Sequence, residues 1–259
     1  VKIRQLGSTT GLPDGRQHLT TFLINDCVAV DAGCLGYVSP VSLQRKIEHV
    51  FISHCHIDHI GSLPVFLDNV YSPRPECPHI YAGEYTLKCL ETDIFNERVW
   101  PDLGRIAAEE QPFMQMHQLH NELPVYVAGM KVTPISVNHV VPTFGFLIED
   151  ESTAVMFVSD TGPTDRIWEI ANSTPGLSAI FLECSFPDDL EWLASKTKHL
   201  SPNLFQQEIS KFKGNAQIIA VHIKAAQHET VTQELMQMKL PQLTIGGCDF
   251  EISLPLDRQ

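Results

Sequence analysis

The stretch His49-Val-Phe-Ile-Ser-His-Cys-His-Ile-Asp-His-Ile-Gly61 constrains this chain more than any other. An apolar, strand-like run ends in His54, His56, Asp58 and His59, four ligand-type side chains within six residues. Imidazoles and a carboxylate are costly to bury without partners, so whatever fold places them at a strand end must also supply what pairs with them. Zinc is one such partner, because it takes His nitrogen and Asp oxygen at about 2.0–2.2 Å. Ile60–Asn69 continues as a helix, with Pro64 near its start where proline is tolerated. The cluster therefore occupies a strand-to-helix loop.

Three later residues share that position. His139, Asp160 and His222 each sit just past a strand-like run (Thr-Pro-Ile-Ser-Val-Asn, Val-Met-Phe-Val-Ser and Ile-Ile-Ala-Val). Packed sheets put their strand ends along one edge, where ligand loops gather. Singly, each residue reads as a turn former or a surface histidine. Together with the first cluster, five His and two Asp suffice for two metal ions with a position left open for water or substrate. A shared Asp between ions about 3.5–4 Å apart would complete such a site. Asp31 ends the β-rich run Cys27–Val30, where it could orient a ligating imidazole from behind.

Strands and helices interleave along the chain, yet many strands are sequential. That pattern fits mixed sheets sandwiched between helices better than a doubly wound parallel sheet. No composition shift divides the 259 residues, so a single domain over 1–259 is expected. Within it, 84–120 reads as a helical insertion, and Gly7–Gly15 is dense in turn residues. The net charge of −13 argues against sequence-independent nucleic-acid binding, which draws on Lys and Arg to neutralise phosphates. Seven cysteines without CxxC spacing argue against a Cys₄ zinc module and a disulfide scaffold. No apolar run approaches the roughly 20 residues of a membrane span, and no signal-peptide pattern is visible. A cytoplasmic protein is expected, with a periplasmic one left open because the chain begins at Val1.

His54-Cys-His-Ile-Asp-His59 matches the HxHxDH signature of the metallo-β-lactamase superfamily, and His139, Asp160 and His222 resemble its later ligand motifs in order and spacing. The resemblance spans essentially the whole chain. It implies an α/β (α+β) protein with the αββα four-layer sandwich, two mixed β-sheets flanked by helices. It implies one zinc ion on His54, His56 and His139, a second on Asp58, His59 and His222, Asp160 bridging, and Asp31 behind the ligands. Mn²⁺ and Fe²⁺ are alternative metals. Ser159 departs from the glycine that many members carry before the bridging Asp.

Asn-His139-Val-Val-Pro-Thr-Phe-Gly-Phe, Ser-Asp160-Thr-Gly-Pro-Thr, Leu-Glu183-Cys-Ser-Phe-Pro, His199-Leu-Ser-Pro and Val-His222-Ile-Lys are similar to the class II cyclic-nucleotide phosphodiesterase branch. The branch implies hydrolysis of 3′,5′-cAMP or cGMP to the 5′-nucleotide by metal-bound hydroxide. Asp58, Glu183 and His199 are then the candidate catalytic residues, His199 protonating the leaving oxygen while Glu183 orients it. Phe95, Trp100 and Phe113 would wall the purine. The partner is a small cyclic nucleotide, and a homodimer is compatible with this reading. Three alternatives stay open: a tRNA 3′-processing endonuclease, which would need a basic arm that no stretch provides; a thioesterase or lactonase; and a zinc-holding sensory module.

Overall fold

Short runs such as Val28–Val30, Ala154–Phe157 and Gln217–Val221 are almost wholly apolar and too short for core helices. They form strands buried on both faces, as strands covered by helices on one side and a second sheet on the other must be. The computed structural model describes residues 1–8, 18–72, 76–109 and 111–254; the turn-rich residues 9–15 lie outside these.

The first half of the chain builds one sheet from β1 (Lys2–Gln5), β2 (Phe22–Ile24), β3 (Val28–Val30), β4 (His49–Ile52), β5 (His79–Gly83) and β6 (Gln115–Leu119). The second half builds the other from β7 (Val125–Val127), β8 (Met130–Val137), β9 (Thr143–Glu149), β10 (Ala154–Phe157), β11 (Leu177–Glu183), β12 (Gln217–Val221) and β13 (Leu243–Ile245). A last strand, β14 (Glu251–Ser253), returns to pair with β1. The spatial orders are β14-β1-β2-β3-β4-β5-β6 and β13-β12-β11-β10-β9-β8-β7.

Both halves follow one plan. An antiparallel meander, β1–β3 or β8–β10, leads into parallel strands, β4–β6 or β11–β13. The β2–β3 hairpin turns on Asn25 and Asp26 with φ of 49° and 59°, the left-handed pair that matches strand twist.

Alternation along the strands assigns three cores. Phe51, Phe157 and Phe181 point between the sheets with Phe22 and Phe146. Their neighbours Val50 and Ile52 pack outward with Leu63, Phe66 and Leu67, while Met156, Ile180 and Leu182 pack outward with Trp168, Phe205 and Leu235. The result is the expected αββα sandwich.

Residues 84–120 are not helical throughout. Glu84–Cys89 runs into the π turn Leu90–Ile94, and Leu103–Glu109 is a helix, but Gln115–Leu119 is the edge strand β6, parallel to β5. An edge strand leaves much of its surface exposed, and Gln-Met-His-Gln-Leu shows no clean apolar alternation. The expected purine wall is also absent. Phe95 is buried in the outer core of the first sheet with Trp100 against it, and Phe113 stacks on Tyr71 at 4.1 Å between ring centres.

Phe157 stacks on Phe181 at 4.6 Å and meets Phe22 at 5.0 Å, so it joins the two sheets. Phe157→Ala is expected to lower stability by about 3–5 kcal/mol, measured as a fall in the urea midpoint with the slope unchanged.

Candidate metal centre

In each sheet the parallel strands carry their C-terminal ends to the same side, and the chain leaves those ends in unusual conformations. Asp31 after β3, Ser159 after β10 and His222 after β12 have φ of 61°, 61° and 56°. Asp and His tolerate the left-handed region better than most residues, and these bends turn the following side chains across the sheet edge.

Asp31 is buried and accepts from the Ser53 backbone N–H at 2.8 Å, the Ser53 hydroxyl at 3.0 Å and His59 Nδ1 at 2.7 Å. The Ser53 oxygen in turn lies 2.9 Å from His54 Nδ1 and accepts its proton. One carboxylate thus directs two imidazoles, leaving Nε2 of each facing the centre. His139 is fixed likewise: its Nδ1 donates to the Lys198 carbonyl at 3.0 Å.

The freed nitrogens face one another in two groups. His56 Nδ1 lies 3.0 Å from His54 Nε2 and 3.3 Å from His139 Nε2. His222 Nε2 lies 3.3 Å from His59 Nε2 and 3.2 Å from Asp58 Oδ2. Asp160 Oδ2 stands between the groups, 3.3 Å from His59 Nε2, 3.7 Å from His54 Nε2 and 4.0 Å from His139 Nε2. A tetrahedral ion with bonds of about 2.05 Å needs donors spaced at about 3.3 Å. The spacing and the oxygen and nitrogen donors fit a divalent metal, held by His54, His56, His139 and Asp160, by Asp58, His59 and His222, or by both groups.

Electrostatics favours the same use. Burial, with the neighbouring imidazoles, holds His54 well below the ordinary imidazole pKa; burial also lowers His56 and His139 despite Asp160 nearby. These rings are neutral at pH 7, the form that binds metal. Burial alone would raise Asp58, but the His222 hydrogen bond and the His59 and Lys224 charges leave it lowered and ionised. Burial would lower His59 too, but the Asp160 and Asp31 carboxylates outweigh it and raise it well above its usual value.

Glu183 and His199 lie at the same edge. Buried Glu183 takes His199 Nδ1 at 2.6 Å and the Thr161 N–H at 3.0 Å on Oε1, and the Ser185 hydroxyl at 2.8 Å on Oε2. The Ser185 oxygen also lies 3.0 Å from His222 Nδ1 and 3.2 Å from His199 Nδ1. A metal-donor atom of His199 comes within 4.8 Å of donors on Asp160 and His222.

The candidate metal donors, Asp31, Glu183 and His199, unlike Phe95, Trp100 and Phe113, are therefore found together at one edge. Ser53, Ser185 and Lys224 join them unforeseen, Lys224 placing Nζ 3.2 Å from Asp58 Oδ2. Ser53 directly precedes His54, and Ser185 lies two residues past Glu183. A hydroxyl between a strand end and a ligand is the signal that would have found both.

An αββα sandwich with His and Asp donors at its strand ends is the architecture of the metallo-β-lactamase fold. The crystal structure of unliganded yeast PDE1 superposes with a TM-score of 0.75 at 18% identity, over 95% of this chain and 96% of that one. The metallo-beta-lactamase fold protein YhfI from Bacillus subtilis gives 0.73 at 16% identity, over 97% and 98%. At such identities the likeness is one of fold. The chain belongs to the beta-lactamase superfamily, whose domain matches residues 22–223. In sequence it is 26% identical over 255 residues to a probable 3′,5′-cyclic-nucleotide phosphodiesterase of Yersinia pestis, spanning 88% of this chain and 71% of that protein.

Two outcomes are expected. Asp31→Asn loses the acceptor that directs His59 and His54, and should weaken metal binding by about 10–100-fold, read by competition with a chromogenic chelator. Because His54, His56 and His139 are shifted below the ordinary imidazole value of about 6.5, protons compete with metal only at lower pH. Metal on the His54–His56–His139 group should hold through dialysis as pH falls through that value, whereas metal on the Asp58–His59–His222 group, where the His59 proton is favoured, should be lost at higher pH.

Proposed function

We propose that this chain is a metal-dependent phosphodiesterase that hydrolyses 3′,5′-cyclic nucleotides to 5′-nucleotides, using two divalent ions, zinc first among them. The buried Glu183–His199 pair carries the reading. A thioester expels a thiolate that needs no such proton donor, whereas the 3′-alkoxide leaving a cyclic phosphate does. The name of the Yersinia relative supports the same substrate class.

His54, His56 and His139 would hold one ion and Asp58, His59 and His222 the other, with Asp160 shared. When bound, the ions supply Lewis-acid chemistry, lowering the pKa of water towards 7 and neutralising phosphate charge. The protein's own groups do the rest. Asp58, ionised and on the open side of the cluster, orients the attacking water as well as contributing a ligand. As the water oxygen bonds to phosphorus and releases a proton to solvent, the bond to the 3′-oxygen breaks, and that oxygen takes a proton from His199 Nε2. Glu183 fixes the ring through Nδ1 and stabilises its charged form.

Burial lowers the pKa of His199, but the Glu183 charge and hydrogen bond outweigh it, so the net shift is upwards. The charged form of the ring is thus favoured more than in a free imidazole, which suits it to act as an acid. Turnover should persist through neutral pH and decline as pH rises through the raised His199 value. His199→Ala should abolish that alkaline limb and lower kcat by about a hundredfold or more while metal content stays the same. Unchanged turnover with metal bound would remove His199 from the reaction. Metal-loaded protein compared on cAMP, cGMP, bis(p-nitrophenyl) phosphate and a precursor tRNA tests the substrate class, and cleavage of the tRNA alone would overturn it.

A further inference from the structure

The ends of β5 and β6 and the hairpin between β8 and β9 line an open cavity of about 410 Å³ that the chemistry above does not use. Two connections place it beside the metal centre. The backbone N–H of Phe144, in its wall, donates to the carbonyl of Ser53, directly before His54, at 3.1 Å. Pro142 and Thr143, also in the wall, follow His139 in the same loop.

We propose that this cavity is the nucleobase subsite, an assignment that rests on the cyclic-nucleotide reading. Its volume lies within the roughly 300–1,000 Å³ typical of small-molecule sites. Its lining contains Glu84 and neither lysine nor arginine, so it suits a neutral heterocycle and not a phosphate. Phosphate has its place next door, among the metal donors and Lys224. Phe144 supplies a half-buried ring, and Gly83 lies close against it: a Cβ at position 83 would stand 3.0 Å from Phe144 Cε2. Glycine therefore lets the ring lie against the backbone at the cavity wall. Gln118, exposed on the edge strand, brings an amide that both donates and accepts, as reading the edge of a base requires. Tyr85 offers a second ring at the rim.

Two variants and two measurements test the assignment. The full-length, metal-loaded protein is titrated calorimetrically with 5′-AMP and 5′-GMP, and kcat/KM is measured on cAMP, cGMP and bis(p-nitrophenyl) phosphate, which has no base. Phe144→Leu should weaken both nucleotides about tenfold, the scale of one base–aromatic stack, and lower kcat/KM on the cyclic nucleotides relative to bis(p-nitrophenyl) phosphate. Gln118→Ala, at an exposed position that folding tolerates, should change the cAMP-to-cGMP ratio by about fivefold. If both variants bind the nucleotides and divide between the bases as the wild type does, the subsite is wrong and the cyclic-nucleotide reading stands. If the wild type binds nucleotides through Phe144 and Gln118 but hydrolyses neither cyclic nucleotide, the subsite stands and that reading fails. Wild-type protein that cleaves bis(p-nitrophenyl) phosphate yet neither binds nor hydrolyses nucleotides overturns both.

Discussion

The Asp31 carboxylate, buried where β3 meets β4, is the contact on which the geometry of the cluster turns. Its oxygens take the Ser53 backbone, the Ser53 hydroxyl and His59, so one side chain sets a strand end, a helix turn and a ring orientation together. Buried carboxylates are tolerated when their acceptor capacity is filled, and here filling it is the act that aims His54 and His59. Without that anchor, imidazoles crowded at 3.0–3.3 Å would have no reason to present nitrogen to nitrogen.

The second half of the molecule repeats the device with different residues. Glu183 after β11 plays to Ser185, His199 and His222 the part that Asp31 plays to Ser53, His54 and His59. In both halves one carboxylate takes one ring directly and reaches a second through a serine oxygen. The repetition follows from the fold, since each sheet has the same antiparallel meander feeding parallel strands whose ends meet across the gap. The difference lies in what the rings face. His54 and His59 look into the donor cluster, whereas His199 stands at its border, paired with the longer Glu183 side chain. The second half thus adds His139, Asp160 and His222 to the donor cluster and sets the Glu183–His199 pair at its border.

The donor residues were legible in the sequence because their chemistry is local and dense. Four ligand-type side chains in six residues are costly for a core to absorb, and strand ends announce themselves through short, wholly apolar runs. The layered architecture was legible for the same reason, as alternation was lost in the strands buried on both faces. What escaped has a physical cause in each case. Strand β6 pairs on one side only, so its sequence did not need an apolar pattern. Phe95 and Trp100 bridge one another just past the π turn, and sequence spacing does not reveal which side of a sheet a segment covers. Ser53 and Ser185 matter through a single hydroxyl, and serine is common in loops for many reasons.

Backbone strain at the strand ends gives a further reason for the arrangement. A non-glycine residue held at positive φ costs of order 1–3 kcal/mol and persists where its surroundings over-determine it. Asp31 and His222 meet that cost with side chains that are used, one as an anchor and the other as a donor. Ser159 has no such contact to offer, yet it bends in the same way with φ of 61°. Its contribution is positional: the bend lets Asp160 leave β10 and reach between His54, His59 and His139. Glycine would adopt that conformation without the Cβ penalty but would free the unfolded chain, so serine and glycine differ little in net cost there. The residue before Asp160 can therefore vary, while the place of Asp160 between the two groups of side chains is set by the bend.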